Sequence, residues 1–207
     1  MIKNIIFDFG NVLVRFRPET QLRRFTRSDE EADALRRLIY LSKPWKDTDR
    51  GLLTRQECID ALCKMHPEKE ALLREAMADC SSWLVMPEAN GPLLKRLGEA
   101  GFGLFFLSNT NTSDYGSMCS RYPVIARMPG IASHLEHVIK PDPAIFRLIA
   151  ERFRLDPSQC LFIDDMEENT ASAAACGFRV LTLRGGADTL TDELMRIPEI
   201  GSRLKEV

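Results

Sequence analysis

The chain opens on a short apolar run, Ile5-Ile6-Phe7, that stops abruptly at Asp8-Phe9-Gly10-Asn11. A brief apolar stretch with a polar boundary predicts a buried strand over residues 2–7, with Asp8 delivered at its C-terminal end. Open α/β sheets gather their ligands at that edge. Three later runs have the same form: 103–107 ending in Ser108-Asn109, 160–163 ending in Asp164-Asp165, and 179–183. Between them the apolar spacing turns helical, through Leu93, Leu94 and Leu97 before Gly101, and through Ile145, Phe146 and Ile149 after Pro143. Another helix is predicted from TASAAAC before Gly177. Strand and helix alternating in this way predict parallel pairing with right-handed crossovers, hence an α/β fold with a three-layer, doubly wound, Rossmann-like parallel sheet.

Residues 15–84 break that rhythm. Strand signals vanish, Pro18 opens PETQLRRFT, and both Ser28-x-x-Glu31 and Thr54-x-x-Glu57 have the form of a capping box. Ala32, Leu35, Leu38 and Ile39 share one helical face; Ile59, Leu62 and Cys63 share another. Ser42-Lys43-Pro44-Trp45 reads as a break, and Pro67 as the start of a helix through Leu72, Leu73 and Met77. The expected division is a core of residues 1–14 and 85–207 with a helical-bundle cap, 15–84, inserted after the first strand. The Pro- and Gly-containing segment between Tyr122 and Lys140 receives no strand, and the residues after Gly185-Gly186 read as a short surface helix and a frayed end.

Composition narrows the partners. The 207 residues are 44% apolar and 28% charged, enough for a real core, and the formal net charge is -2. So even a balance supplies no global field for nucleic acid or an anionic membrane, and any anion must be held locally. No obligate protein partner is evident. The six cysteines lie scattered, without a C-x-x-C pair, which predicts reduced thiols. The first apolar run is too short for a secretory signal, and no stretch is long enough to span a membrane, so a cytoplasmic chain is expected.

Parallel strands would bring Asp8, Ser108-Asn109 and Asp164-Asp165 to one edge, with Lys140 entering from a helix start. Carboxylates crowded there repel unless a hard cation sits among them, and an oxygen-lined site suits Mg²⁺. A phosphate beside that metal needs donors and a positive charge, which Ser108, nearby backbone amides and Lys140 supply. Asp8 would attack in line, giving an aspartyl-phosphate that water then hydrolyses.

Taken singly these residues are ordinary. Asp8 is a turn or cap residue, Ser108 a cap, Lys140 a solvated cation, and Asp164-Asp165 the acidic start of a helix. Their weight is joint. His134 and His137 lie three apart without an evident third ligand, so they read as surface or loop residues. Trp45 is a candidate substrate contact beside Arg15, Arg17 and Lys46, against the plainer reading of an aromatic in the cap core.

Asp8-Phe9-Gly10-Asn11-Val12, Leu107-Ser108-Asn109-Thr110, Lys140-Pro141-Asp142 and Phe162-Ile163-Asp164-Asp165 occur in an order that resembles the motifs of the haloacid dehalogenase superfamily. The resemblance spans essentially the whole chain. The FDFGNV and LSNTN wording is most similar to a sugar-phosphatase-like branch that includes a glucose-1-phosphatase. It implies a metal-dependent phosphatase of a small phosphorylated metabolite, with Asp8 as nucleophile and metal ligand. It further implies Ser108 as phosphate donor with Asn109 supporting it, Lys140 as charge neutraliser, and Asp165, Asp164 and the Gly10 carbonyl as metal ligands. Asn11 joins the substrate-binding candidates, and Asn169 would brace the metal loop.

One departure bears on chemistry. Most phosphatases of that superfamily carry a second Asp two positions after the nucleophile as general acid and base, and this chain has Gly10 there. A general-acid factor of about 10²–10⁴ is then missing from that position. Substrates with an easily expelled oxygen are expected, such as a sugar 1-phosphate or an aryl or acyl phosphate. A second departure is His137 where many relatives have Gly. The rival functions are metal-free hydrolysis of a carbon–halogen bond by Asp8, and a catalytically degenerate metabolite-binding protein.

Overall fold

The computed structural model describes residues 1–79 and 81–206; Cys80 and Val207 lie outside the described residues. Five strands, β1 (Asn4–Phe7), β2 (Gly103–Ser108), β3 (Gly130–Ala132), β4 (Cys160–Asp164) and β5 (Arg179–Thr182), form one parallel sheet in the order β3-β2-β1-β4-β5. Its central strands are apolar on both faces because helices cover both. Ile5 and Phe7 pack on one side with Leu93, Leu97, Leu190 and Leu194. Ile6 points the other way, into Ile145, Phe146, Ile149 and Phe162. This is the expected three-layer, doubly wound arrangement.

The order puts the strand reversal beside β1, whose neighbours are β2 and β4. Phe7 pairs with Ile163 and with Phe106, so the residues that follow in each strand emerge together at the C-terminal edge.

Between β1 and the residue Val85 lie the helices Pro18–Leu22, Asp29–Tyr40, Lys43–Asp49, Arg55–Met65 and Glu70–Met77. They bury an apolar cluster of their own, including Leu22, Leu35, Ile39, Trp45, Leu62 and Leu73, apart from the two clusters of the sheet. The chain leaves and re-enters the sheet domain at one place, where an antiparallel bridge joins Arg15 to Val85 and the Arg15 amide donates to the Val85 carbonyl at 2.8 Å. Thr54 and Glu57 close a full capping box. At Ser28 only half of one forms, because the Glu31 carboxylate accepts instead from the Arg27 amide.

Several expectations are corrected. Ser42-Lys43-Pro44-Trp45 is a helix start: Ser42 Oγ accepts from the Trp45 amide, and Pro44 sits where a missing N–H costs nothing. The segment after Tyr122 contains a helix, Pro123–Arg127, and the three-residue edge strand β3. Past Gly186 two helices, Leu190–Met195 and Pro198–Leu204, bury Leu190, Leu194, Ile200 and Leu204 completely in the core. Cys58, Cys63, Cys119, Cys160 and Cys176 are free thiols. Among the described residues no helix is long and apolar enough to cross a membrane.

Candidate active site

Asp8 follows β1 directly, and its amide still donates across to the Ile163 carbonyl at 2.9 Å, so its backbone remains fixed by the ladder. The turn after it is closed by the Phe9 carbonyl, which accepts from the amides of Leu13 and Val14. Asn11 takes a left-handed conformation (φ 55°), which Asn tolerates better than most residues. Its side chain is used at both ends: Oδ1 accepts from the Phe16 amide at 2.9 Å and Nδ2 donates to Asp165 Oδ2 at 3.0 Å. Asn11 is thus a tie between the turn and the acidic loop. A Cβ added at Gly10 would meet only Phe16, at 3.8 Å, so the missing acid is not excluded by crowding.

Lys140 is the centre of the charge arrangement. Its side chain is wholly buried, with Nζ 2.6 Å from Asp164 Oδ2 and 2.9 Å from Asp8 Oδ1, and it donates to the Leu107 carbonyl at 3.0 Å. Burial works against its charge, but Asp164 and Asp8 outweigh that cost and hold its pKa above the ordinary lysine value. Asn109 positions it through a reciprocal pair, Asn109 Nδ2 to the Lys140 carbonyl at 2.9 Å and the Lys140 amide to Asn109 Oδ1 at 2.8 Å.

Asp164 is fully buried, and its Oδ1 accepts from the Met166 amide and from Asn169 Nδ2, both at 2.9 Å. With Oδ2 bound to Lys140, this carboxylate is held from every side. Asp8, Asp164 and Asp165 each bring a carboxylate oxygen within 4.8 Å of the others. Burial, followed by repulsion from Asp164 and Asp165, raises the Asp8 pKa to about 7, although Lys140 and a hydrogen bond from Ser108 pull it down. Asp165 is raised too, first by burial and then by Asp164, against the Asn11 hydrogen bond and Lys140.

The three carboxylates face one ammonium, a formal excess of two negative charges. Asp8 Oδ1, buried and near Lys140 without the alignment of a hydrogen bond, has no hydrogen-bond partner. A hard dication matches both facts. Asp8 and Asp165 are the side chains fit to hold it, with Asp164 behind them.

A cleft of about 1100 Å³ adjoins this floor and is lined also by residues of the helices inserted after β1. Phe16, Tyr40, Trp45, Asp49 and Arg50 face it, while Ser108 and Lys140 lie on the floor. Trp45 answers to both readings made of it. It is 7% exposed within the cap cluster, packed against Tyr40 at 4.5 Å between ring centroids, and it also lines the cleft.

The reading of both histidines as surface or loop groups is corrected for His134. That ring is buried, with Nδ1 2.9 Å from the Thr110 carbonyl oxygen. His137 is exposed in a left-handed conformation (φ 57°), the region glycine adopts most readily, and its Nδ1 lies 2.8 Å from the Arg50 carbonyl oxygen.

The sequence reading missed Asp49 at the end of the helix Lys43–Asp49. Burial, then Asp114, raises its pKa to about 8; Asp8 adds to that rise, and Arg55 and Arg50 oppose it. Nothing in the KDTD wording separates Asp49 from Asp47, which is buried too but is paired with Lys43.

A family model described as haloacid dehalogenase-like hydrolase matches residues 2–177. D-ribitol-5-phosphate phosphatase of Bacteroides thetaiotaomicron is 25% identical over 211 residues, covering 91% of this chain and 95% of that protein. A segment of 51 residues is 41% identical to acyl-CoA dehydrogenase family member 10 of Mus musculus, and this match spans 25% of the chain and only 5% of that protein. Among solved structures, a HAD family enzyme from Bacteroides thetaiotaomicron, in complex with magnesium and inorganic phosphate, superposes with a TM-score of 0.71 at 26% identity over 88% of this chain and 94% of that one.

Proposed function

The chain belongs to the haloacid dehalogenase-like hydrolase family, and on that premise we propose that it is a Mg²⁺-dependent phosphoric monoester hydrolase. Its substrate in this reading is a small phosphorylated metabolite, a sugar 1-phosphate or a similarly activated ester, and Asp8 is the atom donor to phosphorus. The observation that carries the proposal is the meeting of Asp8, Asp164 and Asp165 around one buried lysine, with two negative charges left over. The phosphatase relative and the magnesium- and phosphate-bound neighbour support it.

Asp8 attacks in line and forms the aspartyl-phosphate as the ester oxygen leaves; water then attacks the same phosphorus and returns Asp8 as a carboxylate. Ser108 donates to a phosphoryl oxygen, and Lys140 neutralises the charge that gathers there, at no cost in reorganisation because its Nζ is already fixed. Asn109 and Asn169 position Lys140 and Asp164. Bound Mg²⁺ supplies Lewis-acid neutralisation of the phosphoryl oxygens. Dehalogenation is disfavoured, since it needs no cation and Asp164 and Asp165 would oppose an anionic substrate.

The substrate reading follows from Gly10. Position 10 has no carboxyl to protonate the departing oxygen, and Asp164 and Asp165 are engaged by Lys140 and Asn11, so an ester whose oxygen leaves readily is favoured. The aromatic and polar cap wall formed by Tyr40, Trp45, Asp49 and Arg50 suits a hydroxylated ring. In a Mg²⁺-supplemented screen, glucose 1-phosphate and p-nitrophenyl phosphate are expected to release phosphate faster than simple alkyl phosphates. The reverse order would remove the substrate class, and silence across the whole panel would remove the phosphatase.

Metal dependence has a readout apart from turnover. Saturation at 100 times the dissociation constant contributes about 2.7 kcal/mol, so Mg²⁺ is expected to raise the melting temperature by about 5–10 °C for a chain of this size. Chelation is expected to reverse that shift and abolish activity together. A melting temperature indifferent to Mg²⁺ would contradict the assignment of the carboxylates.

A further inference from the structure

We propose that Asp49, carried on the cap, protonates the leaving oxygen in place of the carboxylate that Gly10 lacks. This rests on the phosphatase reading and deepens it. In-line attack by Asp8 from the floor points the scissile ester oxygen away from the floor, toward the cap wall. A proton donor on that wall faces the departing oxygen. The floor groups beside Asp8 are already committed: Lys140 between two carboxylates, Asn11 between Phe16 and Asp165.

Three cap carboxyls line the cleft: Glu19, Asp33 and Asp49. Glu19 is exposed. Asp33 is engaged by Arg36 and Arg37, whose hydrogen bonds hold its pKa below the usual carboxylate range. Asp49 is half-buried, and its carboxyl makes no hydrogen bond to any described residue. The charged groups acting on it are Asp114 from the helix Thr112–Arg121, Arg55, Asp8 and the adjacent Arg50, with His134 and His137 on the core segment beside its backbone. Their balance with burial keeps its proton on at neutral pH.

Its backbone is clamped to the core. Ser133 Oγ donates to the Asp49 carbonyl at 2.6 Å and accepts from the Thr110 amide at 2.9 Å, which ties Asp49 to the loop that begins at Ser108. His137 Nδ1 lies 2.8 Å from the next carbonyl, that of Arg50. Gly51 (φ 68°) then packs against the His134 carbonyl so closely that a Cβ would collide with it. A donor held in this way acts on an ester seated beneath the cap and is idle for one too small to fill the cleft.

The step balances. As the Asp8 oxygen–phosphorus bond forms and the ester P–O bond breaks, the Asp49 proton passes to the departing oxygen, giving a neutral alcohol and an Asp49 carboxylate. That carboxylate then takes a proton from the water attacking the aspartyl-phosphate, and orthophosphate and protonated Asp49 result.

The test is Asp49→Asn, assayed with Mg²⁺ on glucose 1-phosphate and p-nitrophenyl phosphate. A lost general acid is expected to lower kcat/KM, which ends at release of the alcohol and excludes the dephosphorylation common to both esters, by about 10²–10⁴-fold on the sugar ester and by less than about fivefold on the aryl ester, whose oxygen leaves unprotonated. The wild-type kcat/KM for glucose 1-phosphate is expected to fall with rising pH as Asp49 ionises, and the variant to lack that alkaline limb. Gly10→Asp, for which there is room, is expected to recover at least about tenfold of the loss in the Asp49→Asn background.

Equal losses of kcat/KM on both esters, or no loss on either, would overturn the role of Asp49 and leave the phosphatase standing. So would an alkaline limb that survives Asp49→Asn and disappears in His137→Asn, or a wild type that hydrolyses only the aryl ester. Inactivity of the wild type on both esters would instead overturn the phosphatase itself.

Discussion

Asp8→Asn is expected to lower kcat for phosphate release by at least about 10⁴-fold, the scale seen when a covalent nucleophile is removed, without loosening the fold. The amide cannot form the bond to phosphorus, and no neighbouring group on the floor can substitute for it. Stability should move the other way. Burial and two adjacent carboxylates raise the Asp8 pKa to about 7, so at and above that pH the ionised form opposes the folded state in metal-free buffer. An uncharged amide removes this opposition. The melting temperature without Mg²⁺ is therefore expected to hold or rise, while the increment caused by Mg²⁺ shrinks. Paired phosphate-release and melting measurements check both halves, and retained turnover would discard Asp8 as nucleophile.

Lys140→Met should strike stability and activity together. Removing one partner of a buried ion pair leaves uncompensated charge and costs about 3–5 kcal/mol, which for a chain of this size is about 6–20 °C in melting temperature. Here two buried carboxylates lose their counter-charge at once, Asp164 at 2.6 Å and Asp8 at 2.9 Å. The transition state loses its fixed cation as well, an effect of about 10²–10³-fold or more in kcat. Mg²⁺ is expected to narrow the stability deficit, because it restores part of the missing positive charge, without restoring the rate. A variant as stable as the parent in metal-free buffer would show that Lys140 does not balance the cluster.

Much of this was legible in the residues. Ile5-Ile6-Phe7 and Cys160–Ile163 are strands buried on both faces, so their apolar runs stand out, and the polar residues that end them mark the sheet edge. β3 was missed because three residues starting at a glycine give no period to read. The last two helices looked like surface because Gly185-Gly186 and Pro198 punctuate them, yet Leu190, Leu194, Ile200 and Leu204 close one face of the sheet. Asp164 announced itself through its doubled acid. Asp49 could not, since what distinguishes it is Asp114 from 65 positions along the chain, burial, and a clamp from Ser133. Long-range proximity of that sort leaves no mark on local wording.

Asp8 and Asp164 each follow a residue of one registered pair, Phe7 and Ile163. Their interval is thus the gauge of two hydrogen-bonded strands, about 4.8 Å, set by peptide geometry and indifferent to how side chains repack. Tyr40 and Trp45, by contrast, are set by the packing of the helices that carry them. Mutational drift can accordingly rewrite the clientele of this enzyme one wall residue at a time while its reaction centre stays in tune.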